Sequence, residues 1–281
     1  MQDIKELSLS DLEEKLLSWA SPKYHAKGIL KWIYQKGAFE FSSMSDLPAA
    51  LRKRLAGEFY ILGLQLADLE RSHDGTAKFL FELNDGNLIE AVNIPMRRRT
   101  PGLIGQAGAR LCAATGCISS QVGCKFSCQF CASGEQGFKR NLSTVEMLDE
   151  VLYLKHNVQN NALSHIVFMG TGEPLDNYEN VLKAIRIINS PYAFNIGARR
   201  ITISTCGIIP GIKRLQDEDL QVELSISLHA AEDRIRSQIM PINEKYPLAD
   251  LIKCCHEYIA KTNRQITFEY ILIKGLNSGL S

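Results

Sequence analysis

Three short segments near the N-terminus carry apolar residues at helical spacing. Asp11–Trp19 opens behind Ser10 and Glu13, the capping-box pattern in which a hydroxyl and a carboxylate satisfy free backbone N–H groups at a helix start. Ala26–Tyr34 places Ile29, Leu30 and Ile33 on one face, as an amphipathic helix requires. Leu47–Leu55 has Pro48 near its start, where a missing N–H costs nothing. The period then changes to two. Ala77–Leu83 and Leu88–Ile94 alternate around Asn84-Asp85-Gly86-Asn87, which predicts a β-hairpin. Met96–Thr115 has no period, and its Arg97-Arg98-Arg99, Pro101 and glycines at 102, 105 and 108 suit a solvated loop.

Beyond that stretch, strand and helix signals alternate. Cys117–Val122, His165–Met169, Arg200–Ser204, Val222–Leu228 and Ile266–Ile273 read as strands. Between them, a second capping box at Ser143 and Glu146 opens a helix to about Val158. Tyr178–Ile188, Pro210–Leu215 and Leu248–Lys261 are further helices. Strands separated by helices predict an α/β fold, a parallel sheet or partial (β/α) barrel. The expected organisation is a helical module over 1–75, a β-hairpin and Arg/Gly-rich linker over 76–115, and the partial barrel over 116–281.

Composition narrows the function. Of 281 residues, 45% are hydrophobic and 22% charged, so the chain buries a core. Lys+Arg 32 against Asp+Glu 31 leaves a formal charge of +1. That excludes a uniformly basic nucleic-acid clamp and leaves room for local patches. No apolar run approaches the roughly 18–20 residues that span a bilayer, and Met1–Glu6 lacks the pattern of a secretion signal. The expected location is the cytoplasm, without membrane attachment. Eight cysteines in a reducing compartment then point to metal binding or catalysis rather than structural disulfides.

Three of them, Cys124, Cys128 and Cys131, stand in C-x3-C-x2-C spacing. Three thiolates can hold three irons of a four-iron, four-sulfur cluster and leave the fourth iron open. A structural zinc site wants four ligands, and no second knuckle lies nearby. The competing reading is a zinc knuckle that borrows Cys112, Cys117 or a histidine, in a zinc-stabilised RNA-binding protein without radical chemistry. Gly172-Glu173-Pro174 follows an apolar strand. Its glycine permits close approach to a ligand, and its carboxylate could pair with a cationic amino group or simply cap a helix.

The cysteine triplet, with an aromatic residue before Cys131, resembles the radical S-adenosylmethionine (SAM) superfamily. The wider text is more specific. Cys117–Cys124, Gly137–Leu142, Met169–Leu175, Ser204-Thr205-Cys206-Gly207, Ser225–Ala230 and Ile239–Asn243 resemble the RlmN/Cfr family of radical SAM RNA adenine methyltransferases, the RlmN branch in particular. The resemblance covers nearly the whole chain. It implies a radical SAM partial barrel with a helical RNA-holding module, a 4Fe–4S cluster and S-adenosyl-L-methionine as cofactors, and 23S rRNA and tRNA as substrates. An electron donor such as flavodoxin or ferredoxin and a monomeric state complete the expectation. The implied reaction is methylation of carbon 2 of adenosine, with carbon 8, as in the Cfr branch, the close rival. An adenine carbon that lacks nucleophilicity cannot accept a methyl group by ordinary SAM alkylation, which is the chemical reason for a radical route.

By the same resemblance, Cys124, Cys128 and Cys131 hold the cluster, and Gly172, Glu173, Ser204, Ser227, Leu228 and His229 contact SAM. Glu90 is the proton acceptor. Cys117 cooperates with a methyl-carrying cysteine and resolves the protein–RNA adduct through a transient disulfide, a step suited to thiolate attack on sulfur. Cys206 and the remaining histidines receive plain structural readings. The pattern departs from the family twice. The connection from Glu90 to Cys117 is long, and the sequence stops at Ser281, before the expected last strand, a SAM-contacting asparagine and the methyl-carrying cysteine. The expectation is a chain that binds a cluster but methylates RNA poorly or not at all.

Overall fold

The computed structural model describes residues 1–99, 109–157 and 163–279, with the side chains of 97–99 and 109–112 outside the description. Its elements begin with β1 (Gln2–Asp3), α1 (Leu9–Ser18), α2 (His25–Tyr34), α3 (Ala49–Glu58), β2 (Phe59–Tyr60) and β3 (Gln65–Arg71). Next come β4 (Ala77–Glu82), β5 (Leu88–Arg99), β6 (Ala109–Cys117), β7 (Gln121–Val122), α4 (Ala132–Glu135) and β8 (Arg140–Asn141). They are followed by α5 (Thr144–Asn157), β9 (Leu163–Phe168), α6 (Tyr178–Asn189), β10 (Ile201–Thr205) and α7 (Ile209–Leu215). The last are β11 (Glu223–Ser227), α8 (Asp233–Ile239), α9 (Leu248–Thr262) and β12 (Ile266–Glu269). The chain forms two compact units. The first gathers Met1–Gly116, Ser143–His165 and Leu182–Gly197; the second gathers Cys117–Leu142, Ile166–Val181 and Ala198–Ser281. None of the described helices is long and apolar enough to cross a membrane.

In the first unit, α1, α2 and α3 bury Leu12, Leu16, Ile29, Ile33 and Leu55 completely. The helix α1 starts earlier than its text suggests. Ser8, not Ser10, is the cap. Its hydroxyl accepts the Asp11 N–H at 3.1 Å, and the Asp11 carboxylate accepts the Ser8 N–H at 2.9 Å. Aspartate reaches across one turn as well as glutamate does, so the box closes two residues upstream. The second box is as expected: the Ser143 N–H donates to Glu146 at 2.8 Å and the Glu146 N–H to Ser143 Oγ at 3.2 Å. The helix it opens is described to Asn157; Val158 lies outside the described residues.

The hairpin forms as β4 and β5, antiparallel, with Leu80 opposite Glu90. Gly86 takes φ +76° at its turn. Phe79 and Phe81 face inward, fully buried. An additional strand, β3, pairs along the outer edge of β4. Its residues are nearly all exposed, so it carries no apolar alternation and is held by backbone hydrogen bonds. The stretch Met96–Thr115 is not simply a loop. β5 runs through Arg99 and β6 begins at Ala109, because a ladder needs backbone groups rather than apolar side chains; residues 100–108 lie outside the described residues.

The first unit also buries charge. The Lys5 ammonium lies 2.8 Å from both carboxylate oxygens of Asp3, 2.9 Å from Asp149, and donates to the Ile61 carbonyl. Both Lys5 and Asp149 are almost wholly enclosed. Burial pushes the Asp149 carboxyl up to about 7, against the opposing pull of Lys5.

The second unit is built on parallel pairing of β9, β10, β11 and β12, in that order. Ile203 pairs with Phe168, Ser204 with Ser225 and Ser227 with Glu269. Ile201, Ile203, Leu224 and Ile226 make its apolar interior. Cys117–Val122 is not one strand. β6 ends at Cys117, and Ile118 then bonds to Val167 and Gly170. Ser120 and Gln121 both donate to the Thr171 carbonyl. Past Cys117, Gln121–Val122 joins a separate ladder, with β8. The expected strand over Ile266–Ile273 ends at Glu269. Past it, Asn277 takes the Ile273 N–H at 2.6 Å and donates to the carbonyls of Ile271 and His229 at 2.7 Å, which draws the chain out of the sheet.

Candidate functional site

The carboxyl ends of β9, β10, β11 and β12 and the loop after β7 enclose a cavity of about 240 Å³. Cys124, Cys128 and Cys131 line it, with Phe126 and Phe130 beside them. The loop that carries the cysteines is pinned locally. Gly123 sits at φ +72°, and a Cβ there would fall 1.7 Å from the Gly137 carbonyl oxygen. The Lys139 N–H closes the other side on the Val122 carbonyl at 2.9 Å. Cys131 donates its N–H to Cys128 O at 3.0 Å, and Gly134 to Cys131 O at 3.0 Å; these tight turns lead into α4.

Desolvation, then the neighbouring Cys124 and Cys131 sulfurs, push the Cys128 thiol up to about 12. Cys124 moves the same way, first through burial. Thiols of this kind stay protonated until a metal displaces the proton. Among the described residues no three His, Cys, Asp or Glu side chains converge as ligands of one ion. A cluster asks for something else, thiolates spread around a space so that each meets a different iron. Three soft donors around one partly apolar cavity fit that requirement.

Opposite the thiols stand the ends of the parallel strands. Glu173 is 4% exposed. Its Oε1 accepts the Leu175 N–H at 3.0 Å and its Oε2 the Cys206 N–H at 2.7 Å. Burial pushes its carboxyl up, opposed by those bonds. Its own N–H donates to Gln121 Oε1 at 2.9 Å. Gly172, at φ +103°, lies so close to Gln121 that a Cβ would come within 2.5 Å of that side chain. The tight approach at this glycine is therefore made by Gln121, which also donates to Asn141 and Asp176 at 2.8 and 2.9 Å.

Ser204 and Ser227 both line the cavity. His229 does too, at φ +57°, a conformation uncommon for a residue with a side chain. Its Nδ1 accepts the Ile271 N–H at 3.1 Å, and its ring meets Phe130 edge-on at 4.7 Å. Burial lowers its pKa, consistent with a neutral ring. Leu228 is not among the lining residues; its N–H donates to the Glu269 carbonyl at 3.0 Å.

The cavity thus collects Cys124, Cys128, Cys131, Gly172, Glu173, Ser204, Ser227 and His229 from the residues singled out by sequence. Cys117 opens the second unit as a half-buried cysteine outside that lining. Glu90 lies in the first unit, half exposed, 3.4 Å from the Lys78 ammonium. Cys206 is buried against Glu173 at the cavity wall, its thiol pushed up by burial and by that carboxylate. Met240, from the Ile239–Asn243 motif, lines the cavity as well. Two contributors went unnoticed in the sequence: Glu269 in the lining and the enclosed Arg236 outside it. The last donates to the carbonyls of Cys206, Leu228 and Ser227. Each sits in ordinary helix or strand text, with no spacing signal to mark it.

The comparisons with known proteins agree with this arrangement. Residues 118–279 match the family model of the radical SAM superfamily, and residues 2–61 that of the ribosomal RNA large subunit methyltransferase N-terminal domain. A probable dual-specificity RNA methyltransferase RlmN of Thermoanaerobacter sp. (strain X514) is 45% identical over 278 residues, 99% of this chain and 77% of that protein. The corresponding protein of Heliobacterium modesticaldum is 42% identical over 282 residues, 99% of this chain and 71% of its own length. A crystal structure of a radical SAM methyltransferase from Sphaerobacter thermophilus superimposes with a TM-score of 0.87 at 38% identity, covering 99% of this chain and 79% of that one. With cysteine loop, strand-end cavity, N-terminal module and these relatives in agreement, the chain belongs to the radical SAM superfamily, in its RlmN family of RNA methyltransferases.

Proposed function

We propose that the protein methylates carbon 2 of adenosine in 23S rRNA and in tRNA. The observation that carries this reading is the single cavity into which three thiols and the ends of the parallel strands converge. Cys124, Cys128 and Cys131 would hold a 4Fe–4S cluster, and Glu173, Ser204, Ser227 and His229, with Gly172, would hold SAM; Leu228, outside the lining, would act only by fixing the chain between Ser227 and His229. When bound, these cofactors supply the reducing electron, the methyl group and the radical chemistry that an unreactive adenine carbon demands. The protein's own part is placement. Phe126 and Phe130 shield the thiols from water, and neutral His229 keeps positive charge away from a sulfonium.

Glu90 is assigned the proton acceptor; the Lys78 ammonium stands 3.4 Å from its carboxylate. Cys117 is assigned the thiol that resolves the RNA adduct of a methyl-carrying cysteine. A flavodoxin or ferredoxin would deliver electrons to a cytoplasmic, monomeric enzyme. The RNA grip must be local and salt-dependent, because the net charge is only +1.

Anaerobic reconstitution with iron and sulfide tests the cofactor assignment. A brown protein with broad absorption near ~400 nm is expected, lost on Cys128→Ser. A colourless protein with stoichiometric zinc would overturn it. Nuclease digestion of treated 23S rRNA and tRNA, followed by mass spectrometry, tests the position: such methylated adenosine as forms, in low yield, is expected to be 2-methyladenosine, and 8-methyladenosine would assign the carbon-8 reaction instead.

A further inference from the structure

Arg236 is a buried cation whose hydrogen-bond partners are all neutral. It stands on α8 and is fully enclosed. Its Nε donates to the Leu228 carbonyl at 3.1 Å and its Nη1 to Asn243 Oδ1 at 2.9 Å. Its Nη2 donates to the carbonyls of Cys206 at 2.8 Å and Ser227 at 3.2 Å. The acid one turn earlier on α8, Asp233, is engaged elsewhere: its carboxylate accepts the Leu248 N–H at 2.8 Å and the Asn243 amide at 2.9 Å. Among the described residues no carboxylate pairs with the guanidinium. A guanidinium stays charged in a protein, and a charge taken out of water without a counter-charge is costly. Four neutral oxygens satisfy its donors but not its charge.

The charge points towards the thiols. The groups that face Arg236 are the sulfurs of Cys206, Cys128 and Cys255, the Asp233 carboxylate and the His229 ring. Cys206 and Cys128 both line the cavity. The link to the cysteine loop is also structural. Gln129, next to Cys128, donates its N–H at 2.9 Å to the carbonyl of Ile239, which ends α8. Cys128 packs against the buried group of Cys206, Ile239 and Met240. We propose that Arg236 is the built-in counter-charge of the cluster and that its cation favours the reduced form over the oxidised one. The inference rests on the reading of Cys124, Cys128 and Cys131 as cluster ligands and adds what sets the potential at that site. Three thiolates around a doubly positive iron–sulfur core leave one net negative charge, and one electron from a low-potential reductant makes it two, with no bond formed or broken. A fixed positive charge in a medium of low dielectric gains more from the second state than from the first. Arg236 therefore eases the entry of the electron on which the radical chemistry depends.

The test is a redox titration of the anaerobically reconstituted protein with dithionite, without SAM, followed by the electron paramagnetic resonance signal of the reduced cluster. Arg236→Gln keeps donors but no charge. It is expected to make reduction about 10-fold less favourable, a potential lower by about 59 mV. The sign separates this from loosening of the site, because admitted water solvates the more highly charged reduced form better and moves the potential up. A second variant, Asp233→Asn with Asn243→Asp, sets a carboxylate against the guanidinium and leaves the total charge unchanged. Position 243 still accepts from Arg236, and the amide at position 233 can donate to it. This variant is expected to lower the potential as well, and it decides the matter if Arg236→Gln does not fold. A potential unchanged or raised in a loaded variant overturns this inference alone. So does loss of loading in both variants while wild type loads, which would give Arg236 a purely structural task. Wild type that takes up no four-iron cluster overturns the cluster reading itself, and this inference with it.

Discussion

At Gly123 a single hydrogen in place of a side chain decides whether the cysteine loop can close. The residue has positive φ, and its missing Cβ leaves the space taken by the Gly137 carbonyl. Gly123→Ala should cost about 1–3 kcal/mol from backbone strain alone, with the steric clash added, and should impair cluster loading. Chemical denaturation and iron content after reconstitution check both; an unchanged midpoint with full loading would contradict the account. Gly172 shows why residue roles are hard to read from text. The sequence suggests a glycine that admits a ligand, and the structure shows one packed on Gln121. Gln121 is fully buried and bonds Glu173, Asn141 and Asp176. It acts as the local frame of the Gly172-Glu173 turn, although a glutamine in strand text carries no mark of that task.

Elements formed where local chemistry was sufficient. The Ser143–Glu146 box and α5 agree with their text because both partners lie within one turn and need no distant group. Ser143→Ala removes the acceptor of the Glu146 N–H and should cost about 1 kcal/mol. A thermal or denaturant midpoint would measure it, and no loss would mean the end of α5 is held by other contacts. The first helix shows the limit of the rule: two overlapping Ser-x-x-acid patterns compete, and the flanking chain chooses Ser8 and Asp11 over Ser10 and Glu13. Strand β3 was invisible for a different reason. Its partners are the N–H and C=O groups of β4, and backbone pairing leaves no trace in side-chain period when both faces are wet.

For the molecule's stability, the buried group Asp3, Lys5 and Asp149 gathers two acids and one base away from water. Two carboxylates sharing one ammonium cannot both ionise without cost. The Asp149 carboxyl is raised to about 7 from an ordinary value of 3.8. Between those values the folded protein holds a proton that the unfolded chain has released, so this group's contribution to stability falls as pH rises through that window. Above it the cost is complete. Asp149→Asn should abolish the dependence. The wild-type-minus-variant difference in unfolding free energy should therefore decline from pH 4 to pH 7. A flat difference, measured by denaturant titration at several pH values, would refute the assignment.

Sequence alone determined the class of chemistry, because the proposed cluster ligands Cys124, Cys128 and Cys131 lie within eight successive residues and their spacing is local information. It also determined most helices and the parallel strands, whose caps and periods are local as well. What only the tertiary structure decided is who shares the cavity with those thiols. Glu269, Met240 and Cys206 reach it from segments far apart along the chain, the enclosed Arg236 ties Cys206 to Ser227 and Leu228, and those bonds exist only once the strands lie side by side. Such pairings are set by packing over long sequence separations, which no local pattern encodes.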